Sequence, residues 1–231
     1  MTFGSKREKV NVIMPVYNEQ NTLKEIIKRV LGQKMVDRLI IVDDNSADRS
    51  IEIIKSMAKR DGRIEFLRNA TNKGKGYSVR RGLELIEDGI VIIQDADLEY
   101  YPEDFGKLLQ KLRDDTFVLG TRVRTKQKGY KYLLARSANA VLTLEFDLLF
   151  GKGLSDTNTC YKVFKREMLG EVKLRENGFL IDPEILVTLV KRGYKYTEID
   201  VRYSGRTYAE GKHITAKDAI DQALFIIRKR F

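Results

Sequence analysis

The stretch Gly89-Ile90-Val91-Ile92-Ile93-Gln94-Asp95-Ala96-Asp97-Leu98-Glu99 joins an unbroken apolar run to three carboxylates. A short β-branched run of this kind reads as a strand buried on both faces, as parallel sheets require. Carboxylates at its end are costly unless they meet solvent, a cation or a ligand. In extended chain, residues two apart project to one side, so Asp95, Asp97 and Glu99 can converge on one hard divalent cation. An acidic turn that merely solvates a strand end is the commoner origin of such a triplet, so the flanking pattern has to decide.

Outward from this run, short β-rich segments alternate with helical periods from Val10 to about Gly120. Strands are predicted at Val10–Met14, Leu39–Val42, Ile64–Leu67, Gly89–Ile93 and Phe117–Gly120. Helices are predicted at Asn21–Leu31, from a cap at Asn45 or Ser46 to about Lys59, at Gly76–Ile86, and from Pro102 to about Arg113. The alternation implies an α/β fold with a doubly wound, mostly parallel sheet flanked by helices. Ligands of such sheets bind beyond the carboxyl ends of the strands. That brings together Pro15-Val16-Tyr17-Asn18-Glu19, Asp43-Asp44-Asn45-Ser46 and Asp95 to Glu99, more negative charge than helix capping needs. No Gly-x-Gly-x-x-Gly follows the first strand and no P-loop is present. Asn72-Lys73-Gly74-Lys75-Gly76 reads either as an ordinary loop and cap or as backbone N–H groups and a Lys beside phosphates or base.

The pattern changes after Gly120. Thr121 to Tyr130 is a basic loop with Arg122, Arg124, Lys126 and Lys128, followed by a dense apolar helix over Tyr132–Phe150. A strand is predicted at Cys160–Phe164, a helix at Pro183–Lys191 with Glu184 in its first turn, and a strand at Tyr196–Arg202. Tyr203 to His213 reads as a polar loop near anionic substrate. A C-terminal amphipathic helix, 216–231, sets Ile220, Ala223, Leu224, Ile227 and Phe231 on one face and ends in Arg228-Lys229-Arg230-Phe231. Core packing is the default for both late helices, but apolar faces beside basic residues also suit a membrane surface. One domain is expected, divided as 1–120, 121–215 and 216–231.

The chain's 231 residues, 42% hydrophobic and 33% charged, describe a globular protein with ample length for a core. No apolar stretch approaches the ~20 residues of a bilayer span, and Met1 to Lys9 has no signal-peptide core; the expected location is cytoplasmic. The single Cys160 excludes an intrachain disulfide, and with one His, His213, a Cys/His zinc site is not expected. A net charge of +10 favours anionic partners, namely nucleotides, nucleic acid or an anionic membrane.

In the order Met14-Pro15-Val16-Tyr17-Asn18-Glu19, Ile41-Val42-Asp43-Asp44-Asn45-Ser46-Ala47-Asp48, Asn72 to Gly76, Gln94 to Glu99, Gly120-Thr121-Arg122, Asp156 to Phe164 and Gly205 to Lys212, the chain resembles the family 2 glycosyltransferases of the GT-A fold. Within them it resembles the polyprenyl-phosphate sugar synthases of the dolichyl-phosphate mannose synthase type. The resemblance runs from about Val10 to Lys212. It implies a nucleotide-sugar half over 1–120 and an acceptor half over 121–215. Pro15, Tyr17, Glu19, Val42 and Asp44 would hold the nucleoside, with Lys73 and Gly74 at the base. Asp95, Asp97 and Glu99 would bind Mg²⁺ or Mn²⁺ at the diphosphate. Arg122, Arg136, Arg206 and Lys212 match basic positions facing the diphosphate or acceptor phosphate, and Asp182-Pro183-Glu184 falls where an acidic residue lies near the acceptor. Two departures stand out: Glu99 replaces a neutral Gln, and the segment around Arg136 aligns loosely.

The implied chemistry is neutralisation of charge growing on a departing nucleoside diphosphate. A hydroxyl acceptor would need Glu184 or Asp182 as base, whereas a phosphate acceptor would need only Arg and Lys to hold it. The basic loops favour the phosphate. The expectation is therefore an inverting, metal-dependent transferase moving a hexose, mannose or glucose, from GDP-mannose or UDP-glucose to polyprenyl or dolichyl phosphate at the cytoplasmic membrane face. The alternatives are transfer to a soluble hydroxyl and, in another class, nucleic-acid binding, for which no aromatic-basic stripe or motif is present.

Overall fold

The computed structural model describes residues 7–122, 130–206 and 216–231, the side chains of 130–136 and 216 excepted. Three apolar runs form the centre of its sheet: β1 (Val10–Val16), β2 (Arg38–Asp43) and β4 (Ile90–Ile93). β1 lies between the other two and parallel to both, with Ile13 opposite Ile40 on one side and Ile93 on the other. Val12 to Met14, Leu39 to Val42 and Val91 to Ile93 are fully buried, as strands covered on both faces must be. β3 (Ile64–Arg68) extends the parallel set outside β2. Beyond β4 come β6 (Lys162–Lys165), β5 (Thr116–Thr121) and β7 (Lys195–Asp200), giving the order β3-β2-β1-β4-β6-β5-β7. β6 is antiparallel to β4 and β5, and β5 is parallel to β7. One sheet thus runs through the 120/121 boundary, and it is mostly parallel as expected.

Helices α1 (Leu23–Leu31), α2 (Ser50–Ala58), α3 (Lys75–Leu83) and α4 (Phe105–Leu109) cover this sheet. α1 buries Leu23, Ile26, Ile27 and Val30, the stripe of a one-sided helix. α3 approaches β1 so closely that a Cβ on Gly82 would stand 2.7 Å from Cγ2 of Ile13.

Two expected boundaries are corrected. α2 begins at Ser50, not at Asn45 or Ser46, because those residues are used elsewhere: Asn45 takes a left-handed φ of 62°, while Ser46 donates its N–H to Asp43 and accepts the N–H of Asn18. The Asp48 carboxylate accepts the Ser50 N–H instead. The helix expected over 102–113 is a 3-10 turn at Pro102–Asp104 followed by the short α4.

The remaining helices are α5 (Tyr130–Phe150), α6 (Ile181–Lys191) and α7 (Ala216–Arg230). α7 packs on α5 and α6 through the buried Phe225 and Ile226, and α5 is anchored by Leu142 and Phe146. Val141, Leu144 and Leu148 of α5 and Ile220, Leu224 and Ile227 of α7 are exposed. The apolar face expected on α7 therefore lies outward, not in the core. Among the described residues no helix is long and apolar enough to cross a membrane.

Candidate active site

Because β2, β1 and β4 are neighbours, the three acidic segments meet at the carboxyl edge of the sheet. Pro15 pairs in register with the fully buried Val42, and Tyr17 is exposed just beyond β1. Asp44 does not face a ligand with a free carboxylate. Its oxygens accept the N–H groups of Lys73 (3.0 Å) and Gly74 (2.6 Å) and the Asn69 amide (2.6 Å), so it shapes the loop that opens α3. The Lys73 ammonium lies 4.5 Å from the centroid of the Tyr77 ring.

The segment after β4 is a turn rather than extended chain: Leu98 has φ 62°, and Asp97 accepts the N–H of Glu99 at 3.1 Å. The three carboxylates consequently take different contacts, although Asp97 and Glu99 share Arg206. Asp95 pairs with Lys75 at 2.9 Å. Asp97 pairs with Arg206 at 3.3 Å. Glu99 accepts the Tyr203 hydroxyl and the Arg206 N–H, each at 2.6 Å. Arg206 also spans to Glu19 at 2.9 Å, so the 203–206 segment straps β1 to the turn after β4. The Arg206 Nε is buried without a partner among the described residues.

Charge at this edge is unbalanced. Among the described residues, Glu19, Asp95, Asp97, Glu99 and Asp182 share Lys75, Lys162 and Arg206. Burial, followed by the charges of Asp95 and Glu99, pushes the Asp97 carboxyl up to about 7 against the attraction of Arg206. Negative charge in excess of its counter-charges is what a divalent cation relieves. No group of three or more His, Cys, Asp or Glu among the described residues could hold a metal ion, so the expected convergence of Asp95, Asp97 and Glu99 is corrected by the turn. The residues fit the other mode of hard cations, one or two carboxylates with the rest of the shell from phosphate and water.

Asp182, in the first turn of α6, bridges Lys75 (3.0 Å) and the fully buried Lys162 (3.2 Å). Burial works against its charge, but Lys162 and Lys75 hold its carboxyl below the usual range. Glu184 is two residues on and projects to another side of the helix. It accepts the N–H groups of Arg175 and Glu176 at 2.9 Å. Glu184 thus spends its lone pairs on the backbone, whereas the acceptor-base role expected of it needs a free carboxylate. Arg122, at the end of β5, makes a bidentate pair with buried Asp156, both bonds at 2.7 Å, and lies 5.2 Å from the Tyr203 ring. Arg124, Lys126, Lys128 and Lys212 lie outside the described residues. Arg136 lies on α5, but its side chain is also outside them.

The sequence reading missed Lys75, Lys162, Asp156 and Tyr203. Lys75 had a signal, since it stands inside the quoted Asn72 to Gly76 motif. Asp156 and Lys162 stand likewise inside the quoted Asp156 to Phe164 motif, but only the fold reveals the pairing of Lys162 with Asp182.

An undecaprenyl-phosphate 4-deoxy-4-formamido-L-arabinose transferase of Salmonella paratyphi B is 28% identical over 214 residues, 89% of this chain and 63% of that protein. The chain thus spans under two thirds of the length of such relatives. Among solved structures, glucosyl-3-phosphoglycerate synthase from Mycobacterium tuberculosis with UDP superposes with a TM-score of 0.69 at 18% identity, covering 96% of this chain and 79% of that one. The same enzyme with Mn²⁺, UDP-glucose and phosphoglyceric acid gives 0.69 at 19%, covering 96% and 80%. These likenesses establish the GT-A fold. A sequence profile described as Glycosyl transferase family 2 matches residues 11–173, and to that family of glycosyltransferases the chain belongs.

Proposed function

We propose that this glycosyltransferase moves a hexose, mannose or glucose, from GDP-mannose or UDP-glucose to a polyprenyl or dolichyl phosphate at the cytoplasmic face of a membrane. The observation that carries the reading is the state of the two carboxylates that could serve a hydroxyl acceptor. Asp182 is held ionised between two ammonium groups, and Glu184 spends its oxygens on backbone N–H groups. A hydroxyl needs a base, whereas a phosphate arrives ionised and needs cationic side chains to hold it in line. The polyprenyl-phosphate acceptor in the name of the Salmonella relative supports the same class.

In this scheme the nucleoside lies over the ends of β1 and β2, against Pro15, Tyr17, Glu19 and Val42, with Lys73 and Gly74 at its base. Asp44 acts there by shaping the loop. Asp97 would hold a Mg²⁺ or Mn²⁺ ion there, and that ion would supply positive charge to the diphosphate, while Asp95 and Glu99 stay with Lys75 and the 203–206 segment. Arg206, already at Asp97, adds a guanidinium as charge grows on the leaving group. Arg122, oriented by Asp156, holds the acceptor phosphate, with Arg136 and Lys212 as the further basic positions. One phosphate oxygen attacks the anomeric carbon as its bond to the diphosphate breaks, which inverts the configuration.

The test offers GDP-mannose and UDP-glucose, with Mn²⁺, to the full chain together with a short polyprenyl phosphate or with 3-phosphoglycerate. Labelled sugar on the lipid phosphate is the expected result. Transfer confined to the soluble acceptor would overturn the reading.

A further inference from the structure

Lys75 has no part in the scheme above, yet the surrounding chain is built to hold it. Asp44 collects the N–H groups of Lys73 and Gly74. Gly74 takes φ 93°, where a side chain is strained, and a Cβ there would stand 2.6 Å from the Asn177 carbonyl oxygen. A Cβ on Gly76 would stand 2.3 Å from the carbonyl oxygen of Glu176. The backbone on both sides of Lys75 is therefore pinned between Asp44 and the 176–178 segment. From that anchor the ammonium reaches Asp95 at 2.9 Å and Asp182 at 3.0 Å, with its side chain 13% exposed. Asp182 is fixed in turn by Lys162.

The partners of Asp95 and Asp97 differ in kind. Arg206 reaches Asp97 from a loop, at 3.3 Å, and divides itself with Glu19. Lys75 reaches Asp95 from a helix start that cannot shift without moving two glycine contacts. A cation arriving with a diphosphate can take the place of the first more easily than the second.

We propose that Lys75 is a positioning residue for cation loading. By occupying Asp95 it makes Asp97 the protein's principal anchor for the divalent ion, and Asp182 sets how much of the ammonium's charge Asp95 receives. The inference rests on cation-assisted donor binding, and the identity of the acceptor does not enter it.

The test is Mn²⁺ binding to the full chain without nucleotide, followed by electron paramagnetic resonance. Lys75→Met frees Asp95 and should tighten Mn²⁺ binding about tenfold, the scale of a half-buried ion pair. Asp182→Asn leaves the ammonium to Asp95 and should weaken binding. Lys75→Arg should stay near wild type. In transfer assays at saturating Mn²⁺, Lys75→Met should lower kcat more than it raises the donor KM, and Lys75→Arg should recover kcat.

Both Lys75→Met and Asp182→Asn disturb one buried cluster, so a purely structural role would weaken Mn²⁺ binding in both. Changes of the same sign, or no change, overturn the inference. If Lys75→Met does not fold, unchanged or tighter binding by Asp182→Asn overturns it alone. No Mn²⁺ binding by any form would instead overturn the cation reading, and this inference with it.

Discussion

Asp97 lies among opposing influences. Burial and the charges of Asp95 and Glu99 push its carboxyl up to about 7, and Arg206 offsets them only in part. The value stands above the 3.8 ordinary for Asp, so the ligand-free protein takes up a proton here on folding. That stabilising contribution is complete below the ordinary value and is lost as pH rises towards 7. Asp156 and Asp182 run the other way. Burial opposes their charge, but Arg122 holds the one low, and Lys162 with Lys75 the other. Their contribution is present above the ordinary carboxylate range and is lost as pH falls through their lowered values. Because a cation needs ionised Asp97, Mn²⁺ affinity should climb by up to about tenfold per pH unit as pH approaches 7, the cost of displacing one proton, and then level off. Asp97→Asn should abolish this slope along with most of the affinity. Calorimetric titrations below, at and above neutral pH check both, and a wild-type affinity flat across that range would contradict the assignment.

At the scale of elements, Glu184 shows how one side chain can serve a loop instead of a reaction. It is buried in the first turn of α6 and accepts the N–H groups of Arg175 and Glu176, which carry the segment that packs on the start of α3. Glu184→Gln weakens these charge-assisted bonds and should cost about 1–3 kcal/mol of stability, read by urea unfolding. Transfer to a phosphate acceptor should keep its kcat. A loss of turnover in a variant of unchanged stability would restore Glu184 as a base. The resemblance led to an expected acidic residue in Asp182-Pro183-Glu184, but the sequence could not say which of the two meets the ammonium groups of the site. Two positions on one helix point different ways, and only the packing of α6 against Lys75 and Lys162 selects between them. The start of α2 was unreadable for a related reason: Asn45 and Ser46 have the chemistry of caps, but tertiary contacts to Asn18 and Asp43 claim Ser46, and Asn45 sits at positive φ.

Over the whole molecule, α5 and α7 carry Val141, Leu144, Leu148, Ile220, Leu224 and Ile227 outward, and α7 ends in Arg228, Lys229 and Arg230. Apolar side chains beside a basic tip suit the interface of an anionic bilayer, where burial and charge act together. The chain should float with anionic liposomes and less with neutral ones. Leu144→Gln with Leu224→Gln should lower the bound fraction about tenfold or more, given ~1.5–3 kcal/mol for each fully buried Leu, without changing Mn²⁺ binding. Failure of the wild type to associate with anionic liposomes would count against a lipid acceptor.

The sequence by itself determined the α/β alternation, the buried β-branched strands and the place of the acidic segments, because periodicity and strand-end polarity are local properties. It also carried the ordered motifs by which the family is recognised. Only the tertiary structure decided which basic group faces which carboxylate. Lys75 meets Asp95 20 positions away and Asp182 107 positions away, while Arg206 closes on Glu19 across 187. Such pairings depend on strand order and on how a turn directs its side chains. The Gln94 to Glu99 stretch had the right residues for a cation, but the turn there, with Leu98 left-handed, gives Asp95 to Lys75 and leaves Asp97 and Glu99 sharing Arg206.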